Sequence, residues 1–311
     1  MTLPNHPSAR TASRRAFLAV GIGAAAGAGV LSSLGAAAPA AVKAKMRIGL
    51  ATYNWGKDWD IPTLIANCHK AGLAGVELRT NLKHAHGVEV TLSARERAEV
   101  KARFADSPVR IVSIACSERM DWPQPEQLQA AIEAAKAHLR LSRDVGCDVL
   151  RVFPNQFHAG VPHVQTIEQI ARALNELGAA AAGLGQEVSL EAHGSAGELP
   201  TIRAFMDRVT RPSVRVRLNC DPRDTKGAGF AANFNLVRDC LSRIIHLHDL
   251  NDPDYPYALM VELLIKAGWE GWALMEQDQV VADRVAAMIG QRELWESMID
   301  KACNIDKEQT S

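Results

Sequence analysis

Short apolar segments alternate with amphipathic segments eight times between residues 46 and 302. The apolar segments have the length of buried strands, and the segments between them repeat apolar residues at helical spacing. Eight strands that are each followed by a helix favour a single (β/α)8 barrel, because right-handed crossovers let such units pair in parallel and close. The predicted strands are 46–52, 75–78, 109–115, 148–153, 187–190, 214–219, 244–247 and 272–275.

An open, doubly wound sheet fits this pattern less well. Such a sheet carries a glycine-rich turn after its first strand, where the backbone approaches a phosphate. Residues 52–55 (TYNW) offer no glycine there. We therefore expect an α/β protein with one TIM barrel in residues 46–311, close to the ~250 residues typical of that fold.

Two helix starts have the sequence signature of a capping box. Ser93 is followed three residues later by Glu96, and Thr166 is followed at the same spacing by Gln169. In this pattern the hydroxyl and the later side chain bond each other's backbone N–H groups. The sequence thus predicts helices that begin after Ser93 and after Thr166.

Residues 1–45 differ in composition from the rest of the chain. They contain no Asp or Glu, and Arg14 and Arg15 precede a weakly apolar run that ends in small residues. This order is typical of an export signal, and the arginine pair resembles the twin-arginine type. We expect a periplasmic or secreted protein without stable membrane association once the leader is removed; an uncleaved membrane anchor is the alternative.

The charge balance argues against a nucleic-acid partner. The chain has 35 Lys and Arg residues and 35 Asp and Glu residues, so its formal net charge is zero. Proteins that bind nucleic acids usually present a basic face. A small-molecule ligand is the better expectation, and the sequence leaves the oligomeric state open.

Carboxylates and imidazoles follow several predicted strands at the point where each strand ends. In a (β/α)8 barrel these ends form one rim, which carries the active site. Oxygen and nitrogen donors of this mix suit Mn, Mg, Co or Zn rather than a metal that prefers thiolates. The polar residues at this rim are Glu77, Arg79, Glu191, His193, Asn219, Asp221, Asp224, His246, His248, Asp249, Glu276 and Asp278.

The sequence segments that contain several of these rim residues together resemble a known family. They are similar to the metal-binding segments of the xylose isomerase-like barrels, the sugar phosphate isomerase/epimerase group. The four segments are 188–194 (VSLEAHG), 218–222 (LNCDP), 245–250 (IHLHDL) and 273–276 (ALME). Residues 72–79 (GLAGVELR) and 267–272 (AGWEGW) resemble the family's second strand and its approach to the eighth.

The resemblance implies one divalent metal ion held by four side chains: Glu191, Asp221, His246 and Glu276. Asp224 is a rival to Asp221, because some relatives use the later acid in this turn. Ketose epimerases of the family carry a histidine where Asp224 falls, and His248 occupies the family's lysine position. These departures separate the chain from the ketose-epimerase subgroup.

The expected chemistry is proton transfer at a carbon next to a carbonyl of a sugar or keto-sugar. The metal would stabilise the enediolate, and the two catalytic carboxylates, Glu191 and Glu276, would remove and return the proton. Return to the other face of the same carbon gives epimerisation, and return to the neighbouring carbon gives isomerisation. The candidate substrate-binding residues are His193, His248, Glu77 and Arg79.

Three other functions remain open from the sequence. The same groups would serve a metal-dependent lyase or dehydratase acting on a keto-sugar or 3-keto-glycoside, because a leaving group can depart once the proton is gone. A non-catalytic sugar-binding barrel would not need convergent metal ligands. An abasic-site endonuclease is opposed by the neutral charge and the leader. His84 and His86, which correspond to the region where such endonucleases bind further metals, are expected to be solvated loop residues.

Overall fold

The computed structural model describes residues 38–310 and contains one eight-stranded sheet in which all paired strands are parallel. The order of the strands is β6-β5-β4-β3-β2-β1-β8-β7. The strands are β1 Met46–Ala51, β2 Gly75–Arg79, β3 Arg110–Arg119, β4 Val149–Phe153, β5 Glu187–Glu191, β6 Val214–Arg217, β7 Ile244–Leu247 and β8 Gly271–Met275.

The barrel closes between β6 and β7, where the strand ladder is reduced to a few contacts. Val216 forms a bridge with Leu241, and the backbone N–H of Ser242 donates to the carbonyl of Val216. Further along, the N–H of His246 donates to the carbonyl of Leu218 at 2.9 Å. These bonds hold β7 beside β6, so the (β/α)8 barrel expected from the sequence is confirmed.

Helices separate the strands along the chain and pack around the sheet. Each exposes polar residues and buries an apolar stripe against the strands. The helices are α1 Pro39–Lys45, α2 Ile61–Lys70, α3 Ala94–Ala105, α4 Pro125–Asp144, α5 His163–Ala182, α6 Leu199–Met206, α7 Phe230–Val237, α8 Tyr257–Lys266 and α9 Arg284–Thr310. Two short 3-10 helices, η1 Pro222–Thr225 and η2 Arg238–Cys240, precede and follow α7.

One of the two predicted helix starts is confirmed and the other is wrong. Ser93 and Glu96 form the expected capping box at α3, with both reciprocal bonds present. Helix α5 instead begins at His163, with Pro162 as its N-cap. Thr166 is buried within the first turn. Thr166 is therefore the fourth residue of the helix rather than its N-cap.

The predicted leader lies mostly outside the described residues, since the description begins at residue 38. Residues 39–45, which the sequence analysis placed in the leader, form α1. This helix buries Val42, and Lys43 pairs with Asp300 of α9 at 2.7 Å. Within residues 38–310, no helix is long and apolar enough to cross a membrane.

Glycine allows the first two strands of the barrel to approach each other closely. A Cβ atom at Gly49 would lie 2.4 Å from the carbonyl oxygen of Gly75 and 2.8 Å from Leu274 Cδ2. A contact of 2.4 Å with a backbone atom requires the strand to move. Gly290 in α9 has no atom within 4 Å of the equivalent position.

Gly49→Ala is therefore expected to lower the free energy of unfolding by about 1–3 kcal/mol, the usual cost of overpacking. Gly290→Ala is the matched control, and we expect it to raise this free energy by roughly 0.5–1 kcal/mol, because alanine loses less backbone entropy in a helix. Urea unfolding of both variants measures the difference. Equal stabilities would show that β1 tolerates a side chain at this position.

Candidate active site

The centre of the barrel is crossed by the side chain of Arg217, at the end of β6. Its Nη1 forms an ion pair with Glu77 of β2. Its Nη2 donates to Ser113 Oγ at 2.7 Å, and its Nε donates to Ser189 Oγ at 3.1 Å. All four side chains are buried. Since a buried guanidinium needs both charge and hydrogen-bond partners, this set fixes its position.

The same carboxylate fixes the ring of His246 on β7. Glu77 Oε1 lies 2.8 Å from His246 Nε2. Arg217 Nη1 also lies 3.0 Å from this nitrogen, but the ionised carboxylate of Glu77 can only accept, so its shorter contact requires the hydrogen on Nε2. The bond from Nε2–H therefore goes to Glu77. The imidazole consequently directs its other nitrogen, Nδ1, away from Glu77.

Two further carboxylates meet at that nitrogen. Glu191 Oε2, from the end of β5, and Glu276 Oε2, just after β8, each lie 3.2 Å from His246 Nδ1. Neither Glu191 Oε2 nor His246 Nδ1 has a hydrogen-bond partner among the described residues, although both atoms are buried. Donor atoms of these three side chains lie within 4.8 Å of one another. We call Glu191, His246 and Glu276 the triad.

The triad fits a divalent cation. Two carboxylate oxygens and one imidazole nitrogen are donors that Mn, Mg, Co or Zn accept. Without a cation, burial opposes a charge on His246, but Glu276, Glu77 and Glu191 raise its pKa well above the usual range. A cation would displace the proton from Nδ1, and the bond from Nε2–H to Glu77 is the second-shell arrangement common for metal-binding histidines. A cation at this position would also satisfy the two buried atoms that lack hydrogen bonds.

The surrounding charges keep the carboxylates ionised. Burial alone would raise the pKa of Glu191, but Arg151 and His246 lower it below its usual range. Burial likewise opposes ionisation of Glu77, and Arg217 and His246 hold its pKa well below the ordinary value. The pKa of Glu276 is lowered in the same way, mainly by His246. Ionised carboxylates are the form that binds a cation or accepts a proton.

Two arginines, on β4 and β2, line the cavity together with Glu191 and Glu276 of the triad. Arg151 of β4 is buried, with its Nε 3.2 Å from Glu191 Oε2 and its guanidinium 3.9 Å from the centre of the Phe153 ring. Arg79, at the end of β2, donates to the carbonyl of Ala115 and to Ser117 Oγ. Burial, with a smaller contribution from Arg151, lowers the pKa of Arg79 to about 10.

A cavity of about 370 Å³ opens over this cluster at the carboxyl ends of the strands. Its volume lies within the range common for small-ligand pockets. Three of the four predicted substrate-binding residues, His193, His248 and Arg79, line it. The full lining is Tyr53, Asn54, Arg79, Arg151, Phe153, Glu191, His193, Asn219, His248, Glu276 and Asp278.

The two histidines in the cavity wall are held differently. His248 Nδ1 lies 3.0 Å from the carbonyl of Glu276, so this nitrogen carries the hydrogen and Nε2 accepts. The His193 ring packs on Phe153 with 4.6 Å between the ring centres, and its buried Nδ1 has no hydrogen-bond partner among the described residues. Burial lowers the pKa of His193, which favours the neutral imidazole.

Glu77, the fourth predicted substrate-binding residue, lies behind His246 rather than in the cavity wall. His84 and His86 are buried, so the expectation of solvated loop residues was wrong. His86 Nε2 lies 3.1 Å from the carbonyl of Arg79, and its Nδ1 accepts from the N–H of Val88. His86 therefore supports the loop after β2.

The two candidate aspartates after β6 do not join the triad. Asp221 caps η1 by accepting from the N–H of Arg223, and it also pairs with that guanidinium at 2.7 Å. Asp224 is buried and accepts from the hydroxyl of Tyr255 at 3.1 Å. Its pKa is raised to about 7, chiefly by burial. Their roles as metal ligands remain predictions.

The backbone explains why Asp221 points elsewhere. Side chains alternate along a strand, so residues 217, 219 and 221 would share one face if the strand continued. Cys220 has a φ of 51°, which breaks this alternation. Asn219 lies before this break, on the same face as Arg217, and lines the cavity, with its buried Oδ1 lacking a partner among the described residues. Aspartate before Pro222 is a common N-cap sequence, so this turn carried a signal for capping.

Arg151 and Arg217 were missed by the sequence analysis. Both interrupt apolar strands, in the segments 149–153 (VLRVF) and 214–218 (VRVRL). Strands of a parallel barrel are buried on both faces, so an arginine at an inward position requires a buried partner. That rule could have identified both as parts of a charged network.

The sequence profile of the xylose isomerase-like TIM barrels matches residues 65–295. The match covers most of the chain and includes all members of the triad. The chain therefore belongs to the xylose isomerase-like TIM barrel family. Comparison with curated protein sequences gave no match.

Solved structures of similar fold include several sugar-converting enzymes. An L-ribulose 3-epimerase superposes with a TM-score of 0.72 at 14% identity, covering 86% of this chain and 98% of the epimerase. The apo form of 3-keto-D-glucoside 4-epimerase from E. coli gives 0.68 at 15% identity, covering 81% and 100%. A xylose isomerase-like barrel from Mycobacterium smegmatis in complex with magnesium gives 0.62 at 15%, covering 83% and 98%. At these identities the likeness shows the shared fold.

Arg217→Met is expected to lower the free energy of unfolding by roughly 3–5 kcal/mol, because Glu77 would be left as a buried charge without its main partner. Adding Glu77→Gln should recover part of this loss. Arg215→Met is the control on the same strand, since the Arg215 side chain donates to the carbonyl of Asp239 near the surface and lies within 4 Å of no carboxylate of residues 38–304. Urea unfolding compares the variants, and equal losses for Arg217→Met and Arg215→Met would contradict the buried network.

Proposed function

We propose that this chain is a divalent-metal-dependent isomerase or epimerase that acts on a sugar or keto-sugar by moving a carbon-bound proton. The observation that carries the proposal is the triad, whose donor atoms lie within 4.8 Å of one another and two of whose members, Glu191 and Glu276, line the cavity. Family membership and the sugar epimerases of similar fold support this class of substrate.

Glu191, His246 and Glu276 would hold the cation, as the donor set and the magnesium complex of a similar barrel support. A cation bound there supplies Lewis acidity, which polarises a substrate carbonyl and favours loss of a proton from the adjacent carbon. Glu77 positions the imidazole, and Arg217 holds Glu77 in place. Both are positioning residues, because Glu77 acts on the site through His246 and Arg217 acts through Glu77.

The proton transfer itself falls to carboxylates of this chain. Glu276 is the more accessible of the two catalytic candidates, with a side chain that is 12% exposed against 2% for Glu191. Glu191 is also paired with Arg151, which makes it a weaker base. We therefore assign the first proton removal to Glu276. His248 Nε2, a hydrogen-bond acceptor in the cavity wall, can bind a substrate hydroxyl.

Loss of one ligand should weaken metal binding. We expect Glu191→Gln and His246→Ala each to raise the Kd for Mn²⁺ by about 10-fold or more, at least the effect of losing a second-shell partner. Glu270→Gln is the control, since Glu270 precedes β8 at the opposite end of the barrel and is exposed. Titration calorimetry of metal-free protein gives the three constants.

The same titration compares the remaining ligand candidates. Asp221→Asn should weaken binding if the resemblance-based prediction holds, whereas Asn219→Ala should weaken it if the side chain seen in the cavity is used. An unchanged Kd in both triad variants would remove the metal site from the account.

The chemistry predicts exchange of one carbon-bound hydrogen with solvent. With keto-sugars or keto-glycosides in deuterated water and saturating Mn²⁺, deuterium should enter one carbon next to the carbonyl. Glu276→Gln should slow this exchange by roughly 10²-fold or more, the usual scale for a positioned acid–base group. NMR follows the exchange, with Glu270→Gln as the control. Turnover without exchange, as in hydrolysis by a metal-activated water, would contradict proton transfer at carbon.

A further inference from the structure

One guanidinium in the cavity wall has no carboxylate that neutralises it. Arg217 is matched by Glu77, and Arg151 faces Glu191. Arg79 forms no ion pair with any carboxylate of residues 38–304, although its side chain is only 7% exposed. Its described partners are a carbonyl and a hydroxyl. A buried guanidinium normally has an anionic partner, because desolvating an unpaired charge is costly.

Donor groups of both arginines remain available. Arg79 Nε and Arg151 Nη1 are buried without a hydrogen-bond partner among the described residues, whereas Arg151 Nε faces Glu191. Both residues line the cavity and both approach the ring of Phe153, whose centre lies 5.8 Å from the Arg79 guanidinium and 3.9 Å from that of Arg151. The two guanidiniums are thus held near each other on one wall.

The balance of charges around the triad also favours an anionic ligand. Near the triad and in the cavity wall, four carboxylates (Glu77, Glu191, Glu276 and Asp278) face three guanidiniums (Arg79, Arg151 and Arg217). A divalent cation on the triad would leave this cluster with an excess of positive charge. A neutral sugar would not offset that excess, whereas a ligand with an anionic group would.

Resting on the proposed function, we infer that the substrate is an anionic sugar, whose carboxylate or phosphate group binds between Arg79 and Arg151. Planar guanidiniums match both groups through paired N–H bonds. The sugar ring would then extend from this wall toward His193 and His248. The arginines therefore set substrate specificity, while the triad carries the chemistry.

Ligand binding to the Mn²⁺-loaded full chain tests this inference without turnover. The probes are D-glucuronate, D-glucose 6-phosphate and D-glucose, compared by titration calorimetry, with acetate and inorganic phosphate as controls for simple anion binding. We expect one of the two anionic sugars to bind at least 10-fold more tightly than D-glucose. Which one binds identifies the anionic group as carboxylate or phosphate.

Arg79→Met should reduce this preference to near unity, because it removes the partner of the anionic group and so weakens the anionic sugar more than D-glucose, and Arg79→Lys should keep part of the preference. A circular dichroism melt checks that both variants are folded. Because Arg79 has no carboxylate partner, its loss leaves no buried anion behind.

Equal binding of charged and neutral sugars by the parent protein, or a preference that survives Arg79→Met, would overturn the inference. If deuterium nevertheless exchanged into a neutral keto-sugar, the proposed function would be retained while this inference would be rejected. Conversely, selective binding of an anionic sugar without exchange in any sugar tested would support the inference and count against the proposed function.

Discussion

Inside this barrel, the ion pair between Arg217 and Glu77 takes a place that branched apolar side chains usually fill. Glu77 bonds His246 through Nε2, and this bond directs Nδ1 toward Glu191 and Glu276. The position of His246 depends on Glu77, and that of Glu77 depends on Arg217, since an unpaired buried charge would otherwise move or become neutral. The geometry at the cavity wall is thus set by charges deeper in the barrel.

The barrel itself could be predicted from the sequence with little ambiguity. Strand length and helical spacing repeat eight times, and each strand prediction falls on an observed strand. The error at α5 has a simple physical cause. The Thr166–Gln169 spacing satisfies the capping pattern, but Pro162 starts the helix one turn earlier. A short local pattern could not outweigh the proline that precedes it.

The site could be predicted only in part. Rim position placed Glu191, His246 and Glu276 at one end of the barrel, because strand ends in a barrel converge, and the family resemblance selected them, with Asp221, as metal ligands. The position of Asp221 at the rim did not reveal the turn after β6. There Cys220 breaks the side-chain alternation, and Asp221 caps η1. Rim position also overlooked Arg151 and Arg217, which lie within strands rather than beyond them. Their roles depend on partners 28 or more residues away in the chain, such as Glu77 for Arg217.

The central claim is that Glu191, His246 and Glu276 hold one divalent cation. Anomalous diffraction from crystals grown with Mn²⁺ tests it most directly, because the signal marks the metal without reference to activity. We expect one strong peak, which marks an ion within bonding distance of His246 Nδ1 and of one oxygen of each glutamate. The hydrogen bond between His246 Nε2 and Glu77 should remain. A peak at Asp221 and Asp224 alone, or at His84 and His86, would contradict the account.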